Sequence, residues 1–237
     1  MAERQLCFKC LRPKRFCYCQ YTKPIESGIT FIFLTHPKEV KRQKTGTGRL
    51  AHLCLPNSRI IMGIDFTQNE ELNQLLADER YLPLLMYPSP EAVTADSPLL
   101  REKLYDHVPQ GMEHKIPLVL IIDSTWFCSK KMLKLSKNLF DLTKLSFKGL
   151  YKSIFTFKTE PAEHYISTIE SCYYFIKEMQ SAGLTSKDVN PEPLMDVFKK
   201  MIQFQLEKEN ERITLGLPST HPKDYKYTKL KEIPTFN

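Results

Sequence analysis

The sequence predicts an α/β protein built on a mostly parallel sheet. Short β-branched or aromatic runs alternate with helix-like stretches along the chain. The run Leu118-Val119-Leu120-Ile121-Ile122 is apolar without alternation, as in a central strand covered on both faces. With 42% apolar residues over 237 positions, the chain can bury a sizeable core. That length suggests one large domain, or one with a small appendage. No stretch approaches the roughly 18 uninterrupted apolar residues of a membrane span. The opening Met1-Ala2-Glu3-Arg4-Gln5-Leu6-Cys7 lacks the basic-then-apolar layout of a signal peptide, so a soluble cytoplasmic protein with no membrane partner is expected.

The chain begins with Cys7, Cys10, Cys17 and Cys19, four of its seven cysteines, in the pattern C-x2-C-x6-C-x-C. An odd total without an export signal argues against disulfides, because cytosolic thiols stay reduced. Four thiolates this close can form a tetrahedral shell around a structural zinc ion, replacing the core that so short a segment cannot bury. Unliganded thiols or a redox pair are the alternative. Cys54, Cys128 and Cys172 stand singly among apolar neighbours and read as packing residues. Residues 30–34 form a β-branched and aromatic run, hence a first strand, which Pro37 interrupts. A basic stretch follows, then a helix at 48–55 and a second strand at 59–64. Residues 70–76 read as a helix, 82–87 as the third strand and 118–122 as the fourth. Met132, Leu135, Leu139 and Leu142 recur at spacings of three and four, which predicts a helix over 130–142. Residues 151–157 look like a fifth strand. Ser167-Thr168-Ile169-Glu170 is a capping box, so a helix starts at Thr168 and runs to the Ser181-Ala182-Gly183 break. A last helix is expected over 193–211, followed by a lysine-bearing tail.

Parallel sheets bind ligands in the loops at the carboxyl ends of their strands. There Ile122 gives way to Asp123-Ser124-Thr125-Trp126, an acid, two hydroxyls and the only tryptophan of the chain. The acid could accept a proton or bind an ammonium group. Equally, Asp123 or Ser124 could cap the next helix while Trp126 packs in the core, and the residues alone leave both readings open. After the first strand, His36, Glu39 and Arg42 stand at i, i+3 and i+6, followed by Lys44 and Arg49. Residues 36–49 hold five Lys or Arg and one Glu, a local positive patch beyond the overall formal charge of +7. Such a patch suits a phosphate backbone, and a solvated charged loop has the same composition. The tail adds Lys223, Lys226, Lys229 and Lys231 near Tyr225 and Tyr227. Eight glycines are about half the usual share, and no G-x-x-x-x-G-K-[ST] phosphate loop occurs. Gly46-Thr47-Gly48-Arg49-Leu50-Ala51 imitates a dinucleotide fingerprint, but it follows a basic stretch where that motif needs a strand.

Together, the N-terminal cysteines, His36-Pro37-x-Glu39-x-x-Arg42 leading into Thr47-Gly48-Arg49-Leu50, Asp123-Ser124-Thr125-Trp126 and Ser167-Thr168-Ile169-Glu170 resemble the DTW-domain family of tRNA-uridine aminocarboxypropyltransferases. The likeness runs from about Cys7 to Gln180. The chain departs from the family pattern at Thr45 or Gly46, where Asn is usual, and at Ser124, where Gly or Ala is common. The resemblance implies that S-adenosylmethionine donates its 3-amino-3-carboxypropyl group to N3 of a uridine in tRNA, leaving methylthioadenosine. It also implies a SPOUT-like fold, an α/β sheet whose C-terminal part forms a trefoil knot and holds the co-substrate. On this resemblance Asp123 is the candidate general base, with Thr125 and Trp126 completing the catalytic set. Ser124, Thr125, Ser167, Thr168 and Glu170 are candidates for holding S-adenosylmethionine, although capping alone also explains Ser167 and Glu170. His36, Arg42, Lys44 and Arg49 are candidate tRNA contacts. Residues 1–22 would form the zinc-binding knuckle, 23–211 the catalytic domain and 212–237 a basic tail, in a monomer or homodimer. Two other activities fit these residues: an S-adenosylmethionine-dependent RNA methyltransferase of SPOUT-like fold, and a non-catalytic zinc-knuckle RNA-binding protein.

Overall fold

The apolar run at 118–122 sits where its composition demands, in β4 (Ile116–Asp123), the middle strand of five. The structure, a computed structural model, describes residues 5–42, 46–155 and 165–219, and of residues 40–42 and Trp126 the backbone alone. The other strands are β1 (Thr30–Thr35), β2 (Ser58–Met62), β3 (Tyr81–Met86) and β5 (Thr143–Leu145). All pair in parallel, in the order β2-β1-β4-β3-β5. The helices are α1 (Pro37–Arg42), α2 (Thr47–Cys54), α3 (Glu70–Ala77), α4 (Pro98–Tyr105), α5 (Trp126–Leu135), α6 (Thr168–Ser181) and α7 (Glu192–Thr214). None is long and apolar enough to cross a membrane.

Alternation along the strands divides the interior in two. Phe31, Phe33, Leu84, Val119 and Ile121 enter one core with residues of α2, α4, α6 and α7. Ile32, Leu34, Leu85, Leu118 and Leu120 enter the other with Leu72 and Leu75 of α3 and Met132 of α5. Helices on both faces of a parallel sheet are the architecture that the sequence predicts. Cys54 and Cys172 are buried packing residues, as expected, whereas Cys128 is half-buried.

Two expectations are corrected. Residues 151–155 form no strand, and 156–157 lie outside the described residues. The backbone of this segment bonds to side chains instead: Ile154 N donates to Glu170 Oε1 at 2.8 Å and Phe155 N to Ser153 Oγ at 3.1 Å. The fifth strand is the three-residue Thr143–Leu145, too short and too polar for its sequence to stand out. The helix expected over 130–142 begins earlier, at Trp126, and stops at Leu135. Ser136 ends it, because its buried hydroxyl turns back to Met132 O at 2.8 Å and accepts Phe66 N at 3.0 Å. A single 3-10 turn, Lys137–Leu139, then keeps Leu139 in the core, so the apolar spacing outlasts the helix. Helix α4, which opens at Ser97-Pro98, has no counterpart in the sequence reading.

Helix α6 starts at its capping box, as read from the sequence. Glu170 is fully buried, and its Oε2 accepts Ser167 N at 2.7 Å, Ser167 Oγ at 2.6 Å and Ser153 Oγ at 2.7 Å. With Ile154 N on Oε1, one carboxylate joins the helix start to the irregular segment before it. A carboxamide turns one acceptor into a donor facing donors already in place. Glu170→Gln is therefore expected to cost about 2 kcal/mol in urea denaturation, and an unchanged midpoint would contradict this account.

Candidate functional site

The chain leaves β1 toward β2 on one side and leaves β4 toward β5 on the other, so a crevice opens between the carboxyl ends of β1 and β4. Their register pairs Thr35 with Asp123 at that crevice. The Asp123 carbonyl accepts His36 N at 3.2 Å, which ties the two strand ends together.

The Asp123 carboxylate is wedged between two helix starts. Thr168, the first residue of α6, donates its hydroxyl to Asp123 Oδ1 at 2.8 Å. On the other side lies Gly48 in the first turn of α2, where an added Cβ would stand 2.5 Å from Asp123 Oδ2 and 2.7 Å from its Cγ. Only a residue without a side chain lets the carboxylate rest there. The amino ends of helices favour negative charge, so both starts suit an acidic group between them.

Beside this carboxylate is a cavity of about 310 Å³, at the lower end of the ligand-pocket range. Its lining includes Met86 at the end of β3, Tyr87 and Pro88 after it, Ile121 and Ile122 of β4, Ser124 after β4, and residues 145–147. Gly149, Leu150, Tyr165, Ile166, Thr168 and Ser171 also line it, with Ser129 of α5. Its described lining combines apolar surface with the hydroxyls of Ser124, Ser129, Ser146, Thr168 and Ser171 and holds no formally charged side chain. Thr168 belongs to both places: it lines the cavity and bonds Asp123.

The loop that closes the cavity is pinned by a carboxylate absent from the sequence reading. Glu178, buried on α6, accepts Gly149 N at 2.9 Å and Tyr151 Oη at 2.9 Å on Oε1. The same oxygen accepts Lys148 N at 3.0 Å. Burial and then the Glu178 carboxylate raise the Tyr151 phenol well above its usual range, so it stays a donor. Tyr151 also stacks on Tyr174, with centroids 3.7 Å apart. The available signal was a Glu beside the apolar positions Cys172, Phe175, Ile176 and Met179 of a helix, where a solvated carboxylate is not expected.

The predicted site residues separate accordingly. Ser124 and Thr168 line the cavity. Thr125 is the N-cap of α5, its hydroxyl accepting Cys128 N at 3.4 Å, and Trp126 begins that helix, its side chain lying outside the description. Ser167 and Glu170 are buried and spend their polar atoms on each other and on residues 153–154, so the structure gives them a structural place. His36 is also buried, at 6% exposure, away from the surface position expected of a phosphate contact. Its Nδ1 accepts Lys38 N at 3.1 Å, and burial, then the nearby Lys38 and Lys131 charges, push it below the usual histidine range. Arg49 is half-buried in the first turn of α2. Arg42 closes α1 but its side chain is outside the description, and Lys44 and residues 220–237 lie outside the described residues.

The four N-terminal cysteines converge. Their sulfur atoms all lie within 4.8 Å of one another, with Cys7 to Cys19 at 3.7 Å and Cys10 to Cys17 at 3.6 Å. Tetrahedral zinc with bonds of about 2.3 Å requires sulfur separations of about 3.8 Å, so the donor set fits that ion. The hairpin that gathers them is closed by Cys7 N to Arg12 O at 2.7 Å and Leu11 N to Cys7 O at 2.8 Å, with Leu11 at a φ of 56°. The backbone amides of Cys10 and then Lys9 draw the Cys7 thiol down to about 6, whereas burial raises the thiols of Cys17 and Cys19, so a full set of thiolates needs a cation among them. Phe16 and Tyr18 seat the knuckle on Phe204 of α7, at centroid distances of 5.0 and 6.5 Å.

Two outcomes follow from this geometry. Gly48→Ala should leave stability within about 1 kcal/mol, since alanine favours a helix, yet cut the chain's activity at least about tenfold by displacing Asp123. Equal activity in the two forms would contradict the wedge. Metal analysis of the purified chain should find about one zinc ion, and a chelator should release it together with four titratable thiols. Four thiols freely titratable before chelation would refute the site.

No solved structure matches the chain. A family model described as DTW domain matches residues 4–206, most of the chain, and spans the cysteine hairpin, the Asp123 crevice and the start of α6. The chain thus belongs to the DTW-domain family, the family of the tRNA-uridine aminocarboxypropyltransferases.

Proposed function

We propose that this protein transfers the 3-amino-3-carboxypropyl group of S-adenosylmethionine to N3 of a uridine in tRNA. The observation that carries the reading is Asp123, a carboxylate that accepts a hydrogen bond from Thr168, a residue that also lines a cavity with no formally charged side chain among its described lining. The lining suits a neutral adenosine, with apolar surface for the base and hydroxyls for polar atoms. The cationic sulfonium and amino-acid end would then lie toward the rim, where the carboxylate is.

In the reaction, uridine N3 loses its proton and bonds to the terminal carbon of the aminocarboxypropyl chain. The bond from that carbon to sulfur breaks, and its electron pair leaves with neutral methylthioadenosine. Asp123 accepts the N3 proton as general base, and the cavity aims the correct carbon at the attacking nitrogen. Burying the methyl group and exposing the longer chain is what separates this outcome from methylation. Thr125 and Trp126, beside Asp123 in sequence, complete the catalytic set. The tRNA backbone passes over the basic stretch with Arg42, Lys44 and Arg49. Zinc, held by Cys7, Cys10, Cys17 and Cys19, has a structural part only. The same reading takes the parallel sheet as a SPOUT-like core with a C-terminal trefoil knot, in keeping with a cavity built from the loops after β3, β4 and β5 and the start of α6.

Incubation with tRNA and S-adenosylmethionine labelled in the carboxyl group should leave acid-stable label in the RNA, whereas methyl label should leave with methylthioadenosine. Asp123→Asn should slow transfer by about 10² to 10⁴-fold, a loss much larger than the accompanying weakening of S-adenosylmethionine binding. Methyl label retained in RNA would make the protein a methyltransferase instead.

A further inference from the structure

We propose that the cysteine knuckle is a second RNA-binding surface, which stacks an unpaired base of tRNA on Phe8 and holds the adjoining phosphates with Lys9, Lys14 and Arg15. The inference rests on the tRNA reading above.

The knuckle has two kinds of aromatic residue. Phe16 and Tyr18 face the body of the protein, against Phe204 of α7. Phe8 is 95% exposed at the turn between Cys7 and Cys10. The backbone around it is held by the hairpin hydrogen bonds, between two cysteines that would ligate zinc, so a large apolar ring is presented to water. Leu6 and Leu11 beside it are about half exposed, at 50% and 52%. A rigid apolar surface of this kind marks an interaction site.

Charge selects the partner. From Gln5 to Ile25 the chain carries Lys9, Arg12, Lys14, Arg15 and Lys23 and no carboxylate. Arg12 turns inward, over the Tyr18 ring at 4.3 Å and onto Phe16 O at 3.1 Å, while Lys9, Lys14, Arg15 and Lys23 remain exposed. A cationic surface with no anion of its own fits a polyanion better than a protein. An exposed ring among cations fits a nucleic acid with a free base face, and a continuous duplex has none to offer. The partner is accordingly a single-stranded part of tRNA, a loop or an end.

The intact, zinc-loaded chain tests this through equilibrium binding of unmodified tRNA at several salt concentrations. Phe8→Ala should weaken binding about tenfold with the salt slope unchanged, and Phe8→Trp should restore it. The combined Lys9→Ala, Lys14→Ala, Arg15→Ala variant should lower the slope by about 2. Zinc content and the thermal midpoint should match the wild type in every variant, because the replaced side chains are exposed. Wild-type affinity and slope in both alanine variants would overturn the inference. If such variants also transfer the aminocarboxypropyl group normally, the proposed function stands without this surface. Binding lost with Phe8 in a chain that transfers nothing would instead keep the surface and remove the activity.

Discussion

A segment that joins no strand still has backbone donors to satisfy, and the cavity wall depends on how this chain meets that demand. Residues 148–155 follow the last described strand without joining the sheet. Two carboxylates on α6 take over the work of a missing strand. Glu178 accepts the amides of Lys148 and Gly149, and Glu170 accepts that of Ile154 together with the hydroxyl of Ser153. Helix and loop become one body as a result. The cavity wall at Gly149 and Leu150 and the Thr168 hydroxyl that steadies Asp123 share this single support.

The arrangement separates two environments only a residue apart. The cavity is lined by apolar groups and hydroxyls, while the crevice beside it presents a carboxylate between two helix starts. A charged group within the cavity would have to shed water without a partner, at considerable cost. With no formally charged side chain among its described lining, the interior has the character of a site for a neutral group, and the Asp123 carboxylate near it that of a site for a cation.

Much of the fold was legible because periodicity reports burial directly. The unbroken apolar run of β4 gave the centre of the sheet, and the capping box gave the start of α6 to the residue. Asp123 stood out in the sequence because strand ends in parallel sheets are where ligands bind, and it does lie at the carboxyl end of β4. The rest depended on partners remote in the chain. Thr143-Lys144-Leu145 becomes a strand only because β3 offers it an edge, and nothing local announces that. Tyr151-Lys152-Ser153-Ile154-Phe155 has strand composition but meets Glu170 and Glu178 first. His36 reads as a surface residue in a basic stretch, yet the pairing of β1 with β4 draws it inside. The four cysteines needed no such context, since their chemistry requires only proximity that short spacing already guarantees.

The order of these parts along the chain has a consequence for biosynthesis. All five strands emerge before either carboxylate of α6, so the sheet can form while the loop at 148–155 still has no acceptors for its amides. The cavity closes from its C-terminal side, and a nascent chain halted ahead of Glu178 would possess the strands and Asp123 but lack an anchored wall. The cavity is thus among the last parts of the domain to mature, its wall anchored after the sheet rather than with it.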